Sequence, residues 1–405
     1  MLERINSLLE KNFGEMSDIR RHLHMNPELS FEEVKTPEFI ADFHNKLGLE
    51  VKTGVGGRGV TAKLEGGKPG KTVALRADFD ALAIQDEKDV PYKSQVPGVM
   101  HACGHDAHTA TLLGLAKALH AVKDELEGDI VFIHQFAEEI TPGGAQAMIK
   151  DGCLEGVDAI FGTHVWSPMP FGQVGYRKGY LMAAADRFDL EVTGKGGHGA
   201  MPQETIDPIM TAANILQNFQ TIVSRKVDPL KSAVLTVSSF HSGDAFNVIP
   251  GKAELKGTVR TFDESVRTLV EQSMELMAES ICNANGAECS FSYERGYPAL
   301  WNHSAETEQL AEAAKTVVPP DQVVEMEPIM GGEDFAYYLK EVPGAFFFTG
   351  ARNEAEGAHY PHHHAKFDID EKAMLIAAKV MAAAAIRFQA GEPAGDMIGA
   401  AESGE

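Results

Sequence analysis

Short apolar runs that break off into charged or polar residues punctuate the chain. "KTVALRADFD" reads as a strand from Thr72 and then delivers Arg76, Asp78 and Asp80. "GDIVFIHQFAEE" reads as a strand from Ile130 to Phe136 and then delivers Glu138 and Glu139. "VDAIFGTHVW" runs from Ala159 to His164, and "GAFFFTGA" supplies another buried run from Ala345 to Phe348. Between them, "AHTATLLGLAKALHAVKDEL" and "GGAQAMIKDG" carry helical spacing. Continuous apolar strands alternating with helices predict an α/β fold, a mostly parallel sheet with helices on both faces. Ligands of such sheets sit beyond the carboxyl ends of the strands. The carboxylates and His164 fall there.

The middle of the chain has a different rhythm. "DRFDLEVTG", "SAVLTVSSF", "KAELKGTVRTF" and "AECSFSYE" read as strands, the second and third with clear alternation. "DPIMTAANILQNFQTIVSR" and "DESVRTLVEQSMELMAESICNAN" read as helices, the latter behind an Asp cap. The order βαββαβ predicts a ferredoxin-like domain inserted into the α/β one. We therefore expect a first catalytic part at 1–182, the insert at 183–295, a second catalytic part at 296–390 and a disordered tail at 391–405. The first residues, "MLERINSLLEKNFGEM", read as one amphipathic helix without the apolar core of a secretory signal.

Bulk properties narrow the class. Single cores stop growing near about 250–300 residues, so 405 residues fit two domains. A formal charge of -23 argues against a nucleic-acid partner, which requires a basic surface. No run of about 18 apolar residues predicts a membrane span. Four cysteines (Cys103, Cys153, Cys282, Cys289) without a framework spacing suit a reducing cytoplasm. The last three are expected to be buried.

The chemistry concentrates in "GVMHACGHDAH" and in the residues that end the strands. Cys103 and His105 are two apart and cannot share a helical face, but a turn opening onto a helix can aim both at one point. Thiolate, imidazole and carboxylate are the usual ligands of zinc-like ions. A nucleophilic Cys103 competes, since a helix N-terminus lowers a thiol pKa. That reading explains neither the Glu138–Glu139 pair nor His164. Just past a strand, two adjacent glutamates can diverge, one to bind a metal and one to act as a base. A solvated helix start is the plainer reading of the same pair. His164 could be a satisfied core residue, the run His362, His363 and His364 a solvated loop, and His198 in "GKGGHGAMP" a hairpin turn. His108, already on the helix, reads as scaffolding.

Taken in order, "RRHLHMNPELSFEE", "ALRADFDALAIQ", "MHACGHDAHTATLLG", "FAEEITPGGAQAMIKDG", "GTHVW", "GKGGHGAMPQETIDPI", "FNVIPGKAELKGTVRTFD", "GGEDFAYY" and "HHHAKFDIDE" resemble the metal-dependent amidohydrolases of the M20 peptidase family. The nearest branch is that of hippurate hydrolase, N-acyl-amino-acid amidohydrolases and auxin-conjugate hydrolases, and the resemblance covers nearly the whole chain. It implies two divalent ions (zinc, manganese, cobalt or nickel) held by Cys103, His105, Glu139, His164 and His363, with Glu138 as general base. His363 is selected by counting back from Phe367, although Ala365 stands where the family carries proline. Where other branches carry a metal-binding His, this chain has Asp78; Asp80 is then implied to orient a ligand. Ala83 and Gly332 are further departures within matched motifs.

By the same likeness the insert is a lid and dimerisation domain. His198 is implied to stabilise the oxyanion, in the partner subunit's site, and Asn247 and Arg260 to bind substrate. The implied reaction cleaves a small N-acyl-L-amino acid into a carboxylic acid and a free amino acid, in a homodimer or higher homo-oligomer. A dipeptidase, an N-acetyl-diaminopimelate deacetylase and a non-catalytic metal-binding protein are the alternative readings.

Overall fold

Every residue of Val73–Asp78 is buried, as a central strand covered on both faces requires. In the computed structural model, which describes residues 1–391, this strand pairs in parallel with Ile130–Gln135 on one side and Ala159–Pro170 on the other. Ala159–Pro170 pairs in parallel with Gly344–Arg352. Two short strands, Val174–Tyr176 and Val323–Glu325, finish that side of the sheet. Glu50–Val55 and Gly59–Leu64 form an antiparallel hairpin at the opposite edge. The hairpin left no apolar signature because its outer strand is mostly exposed.

Neighbouring residues of one strand show that both faces are covered. Phe161 turns its ring to Phe388 of the helix Ala373–Gln389, with centroids 6.3 Å apart. Gly162, facing the other way, lies against Phe335 and Phe346, where a Cβ would come within 2.7 Å of the Phe335 ring. Fully buried rings of this kind each contribute roughly 1.5–3 kcal/mol relative to exposure.

Two of the expected elements change. The N-terminal helix is two helices, Leu2–Lys11 and Phe13–Met25, because Asn12 leaves helical geometry at φ -94° and ψ 5°. The strand that begins at Ala159 continues beyond His164 to Pro170. The expected disordered tail lies outside the described residues, apart from Gly391.

The chain divides into two compact units. The first holds the large sheet and comprises Met1–Leu181, Trp301–Glu327 and the chain from Asp334 onward. The second comprises Met182–Leu300 and also Pro328–Glu333, a segment tied in by the Ala183 N–H, which faces the carbonyls of Ile329 and Gly331. Its four strands run in the order Ala233–His241, Lys252–Thr261, Ala184–Thr193, Glu288–Arg295, all antiparallel. Helices Pro208–Arg225 and Glu264–Ala284 pack on this sheet around Phe188, Leu190, Ile215, Phe219 and Val270. Asp207 and Asp263 cap them, each carboxylate accepting backbone N–H groups of the first turn. Cys153 and Cys282 are buried as expected, but Cys289 is only half-buried, because it lies on an edge strand of this sheet. Among the described residues, no helix is long and apolar enough to cross a membrane.

Candidate active site

The parallel register places Asp78 opposite Gln135, so the residues that follow both strands emerge at one edge of the sheet. Asp80 and Glu138 are both buried there. His164 lies in Ala159–Pro170, opposite Phe348. Cys103 precedes the helix His105–His120 at a turn that only glycine fits well: Gly104 has φ 100°, and a Cβ on it would meet Val165 at 2.4 Å. That turn directs Cys103 and His105 to one side.

Hydrogen bonds fix which nitrogen of each imidazole is available. His105 Nδ1 faces the Asp80 carbonyl at 3.0 Å and its carboxylate at 3.1 Å, so it carries the proton. Its Nε2 is buried without a hydrogen-bond partner, 3.9 Å from Glu139 Oε1 and 4.0 Å from Glu138 Oε2. His164 Nδ1 donates to the Val165 carbonyl at 2.6 Å, which turns its Nε2 lone pair to the Cys103 thiol at 3.3 Å. His363 Nε2 lies 3.3 Å from Glu139 Oε1. Its neighbours are engaged elsewhere: His362 Nε2 accepts from the Ser167 N–H, and His364 Nδ1 from the Lys366 N–H.

Donor atoms of Cys103, His105 and His164 lie within 4.8 Å of one another, as do those of Cys103, Glu139 and His363, and those of His105, Glu138 and Glu139. A fourth trio, Asp78, His105 and His108, is equally close. His108 is not available to an ion, because its Nε2 accepts the Val165 N–H at 2.9 Å and its Nδ1 donates to Asp78 at 2.6 Å. Asp78 also takes the Arg76 guanidinium at 2.6 Å. His108 and Asp78 therefore brace the site.

The electrostatics call for positive charge. Burial disfavours protonation of His105, yet Asp78, Asp80 and Glu139 outweigh it and raise its pKa to about 10. Burial, together with Glu139 and Glu138, holds the Cys103 thiol well above its usual range. Such a thiol is no nucleophile. A divalent cation would meet the same demand, and the donor set fits one: thiol, imidazole nitrogens with their opposite side pinned by oxygen, and carboxylates. The orphaned His105 Nε2 is the atom such an ion would satisfy, beside the Glu139 Oε1 that His363 also approaches.

Not every sequence candidate belongs to this unit. His198 and Asn247 lie in the second unit on one exposed ribbon, in which Gly197–His198 pairs with Val248–Ile249 and the Asn247 carbonyl accepts the Gly199 N–H. Arg260 lies on the four-stranded sheet of that unit, half-buried, between Ala185 and Val234. Two residues that touch the site lie in the matched motif "RRHLHMNPELSFEE" but were assigned no role from it. Ser30 donates to Asp80 at 2.7 Å, and Glu33 accepts the Ala137 N–H at 2.9 Å.

Residues 74–387 match the model of peptidase family M20/M25/M40. The chain is 57% identical over 384 residues to YhaA of Bacillus subtilis (strain 168), covering 95% of this chain and 97% of that one. It is 45% identical over 373 residues to thermostable carboxypeptidase 2 of Saccharolobus solfataricus, covering 91% and 94%. It is 47% identical over 306 residues to an N-acyl-L-amino acid amidohydrolase of Geobacillus stearothermophilus, covering 74% and 81%. Among solved structures, YXEP of Bacillus subtilis, described as a dinuclear metal binding peptidase from the M20 family, superposes with a TM-score of 0.81 at 36% identity, covering 94% of this chain and 99% of that one. The chain belongs to peptidase family M20/M25/M40 and is an amide-bond hydrolase.

Proposed function

We propose that the protein hydrolyses N-acyl-L-amino acids, with Cys103, His105, Glu139, His164 and His363 holding two divalent ions and Glu138 serving as general base. The observation that carries this reading is the orphaned His105 Nε2, which faces Glu139 Oε1 beside the Glu138 carboxylate, with His363 Nε2 closing on the same Glu139 oxygen. The similarity to an N-acyl-L-amino acid amidohydrolase and to a dinuclear metal binding peptidase supports it.

Bound ions would polarise the acyl carbonyl and acidify water toward neutral pKa. Glu138 takes the proton of the attacking water and passes it to the leaving nitrogen. Asp80 keeps His105 in the tautomer that presents Nε2. We assign His198 to the developing oxyanion, supplied by a partner subunit of a homodimer, and Asn247 and Arg260 to the substrate, where a guanidinium suits a carboxylate. Four free cysteines agree with a reducing, cytoplasmic setting.

A second reading, removal of the carboxyl-terminal residue from unacylated peptides, is favoured by the similarity to a thermostable carboxypeptidase. A panel of N-acetyl, N-benzoyl and long-chain N-acyl amino acids, run beside free dipeptides after defined metal reconstitution, separates the two. Turnover of the acylated compounds is expected; turnover of the dipeptides alone would replace the proposal with the peptidase reading. Glu138→Gln should retain its ions and fold while losing roughly 10²–10⁴-fold in kcat. An unchanged kcat would remove Glu138 from the role of base.

A further inference from the structure

Three non-glycine residues among those described adopt left-handed backbone conformations: Phe31 (φ 65°), Ala137 (φ 50°) and His363 (φ 64°). His363 is a proposed ion ligand, and Ala137 immediately precedes Glu138. Phe31 lies in the loop between the helices Phe13–Met25 and Lys35–Lys46 and packs its ring edge-on to Phe136 at 5.9 Å. Strain of this kind persists only where the surroundings hold it. The question is what holds Ala137.

The same loop answers it. Glu33 is 1% exposed, and its Oε1 accepts the Ala137 N–H at 2.9 Å. Ser30 donates to Asp80 Oδ2, which also accepts the Glu139 N–H at 3.0 Å. The N–H groups of the residues on either side of Glu138 therefore end on carboxylates, one belonging to this loop and the other held by it. Glu33 is an expensive way to build a turn. Its second oxygen is buried without a hydrogen-bond partner, and the nearest guanidinium nitrogen, Arg58 Nε, is 3.9 Å away. A group kept at such cost beside a strained residue is better explained by what it positions than by the stability it adds.

We infer that Glu33 is a positioning residue for the reaction: its carboxylate, by fixing the Ala137 N–H, aims the Glu138 side chain. The inference rests on Glu138 being the base. Glu33 touches neither substrate nor ion; it sets the direction in which Glu138 leaves the backbone, and small misplacements of a reacting group cost on the order of 10²-fold in rate.

Three variants test it. Glu33→Gln keeps an oxygen that can accept from Ala137, Glu33→Leu removes the acceptor, and Glu33→Asp withdraws it by one methylene. In ion-loaded enzyme, kcat should fall on the order of 10²-fold for Glu33→Leu and at least about tenfold for Glu33→Asp. KM should stay within about threefold, and Glu33→Gln should keep kcat within about threefold of wild type. Hydrogen exchange of the Ala137 amide supplies a readout independent of activity: at least about tenfold faster in Glu33→Leu and Glu33→Asp, unchanged in Glu33→Gln. A kcat for Glu33→Leu within threefold of wild type, or a Glu33→Gln variant as impaired as Glu33→Leu, overturns the inference. If Glu33→Leu does not fold, Glu33→Asp is judged by the same criteria. Failure of the underlying reading would show instead as an active Glu138→Gln variant, which the Glu33 series cannot produce.

Discussion

His105 and Asp106 are neighbours in sequence and both are buried, yet they belong to clusters of opposite character. Asp106 faces Arg20 at 2.9 Å and His24 at 2.7 Å. Arg20 continues to Asp368 at 2.7 Å, which accepts from the Tyr92 hydroxyl, while Lys88 donates to His24 Nε2 and to the Phe367 carbonyl. None of these buried side-chain polar atoms lacks a hydrogen-bond partner. His105, one residue earlier, presents an Nε2 that meets nothing. Buried histidines and carboxylates are common to both clusters, so their presence does not mark a site. What marks it is the set of donor atoms left unmatched and aimed at one small space. The satisfied network is the floor that holds the unsatisfied one.

The largest effect that could break this contrast is on His105. His105→Ala should lower affinity for divalent ions by more than the 10–100-fold typical of losing an outer partner, and abolish turnover. The ion-free protein should also lose stability, since Asp78, Asp80 and Glu139 lose the buried imidazole they face. Ion affinity retained within about tenfold of wild type would place His105 with the structural network instead.

Arg20→Met is the mirror experiment. Two buried carboxylates, Asp106 and Asp368, would lose their shared cation, at a cost of roughly 3–5 kcal/mol in denaturant unfolding. The folded fraction should still bind its ions. A loss of ions without loss of stability would contradict the division of labour.

Glu33 supplies a pH test. Burial, reinforced by Asp80, pushes its carboxyl up to about 7. An unfolded glutamate releases its proton near pH 4.3, so between the two values the folded state holds more protons and stability falls as pH rises. In ion-free protein the fall should reach at most about 4 kcal/mol above pH 7, and Glu33→Gln should flatten the profile over that window. An identical slope in the variant would assign the titration elsewhere.

The smallest effect is that of Tyr92→Phe, which removes one hydrogen bond to Asp368 and should cost about 1 kcal/mol with kcat unchanged. A change in kcat would mean that the floor of the site does more than support it.

These contrasts also explain what could be read from the chain alone. Asp80, Glu138, Glu139 and His164 stood out because each ends or follows an apolar run, and the central strands stood out because they are buried on both faces. Cys103 and His105 were legible from a spacing incompatible with one helical face. The roles of Glu33 and Ser30 were not. Glu33 meets Ala137 across 104 positions, and Ser30 meets Asp80 across 50, contacts that leave no periodicity. Asn12 splits the first helix through backbone geometry within an otherwise amphipathic pattern, and the edge hairpin at 50–64 buries too little on its outer strand to register.

The central claim is that the unmatched atoms exist to hold two ions. Equilibrium dialysis of the metal-stripped chain against zinc, with bound metal counted per chain, tests it most directly. The account predicts two ions per wild-type chain, and loss of that binding when Cys103, His105 and Glu139 are replaced together. No tightly bound ion in the wild-type chain, or two ions retained by the triple variant, would contradict it.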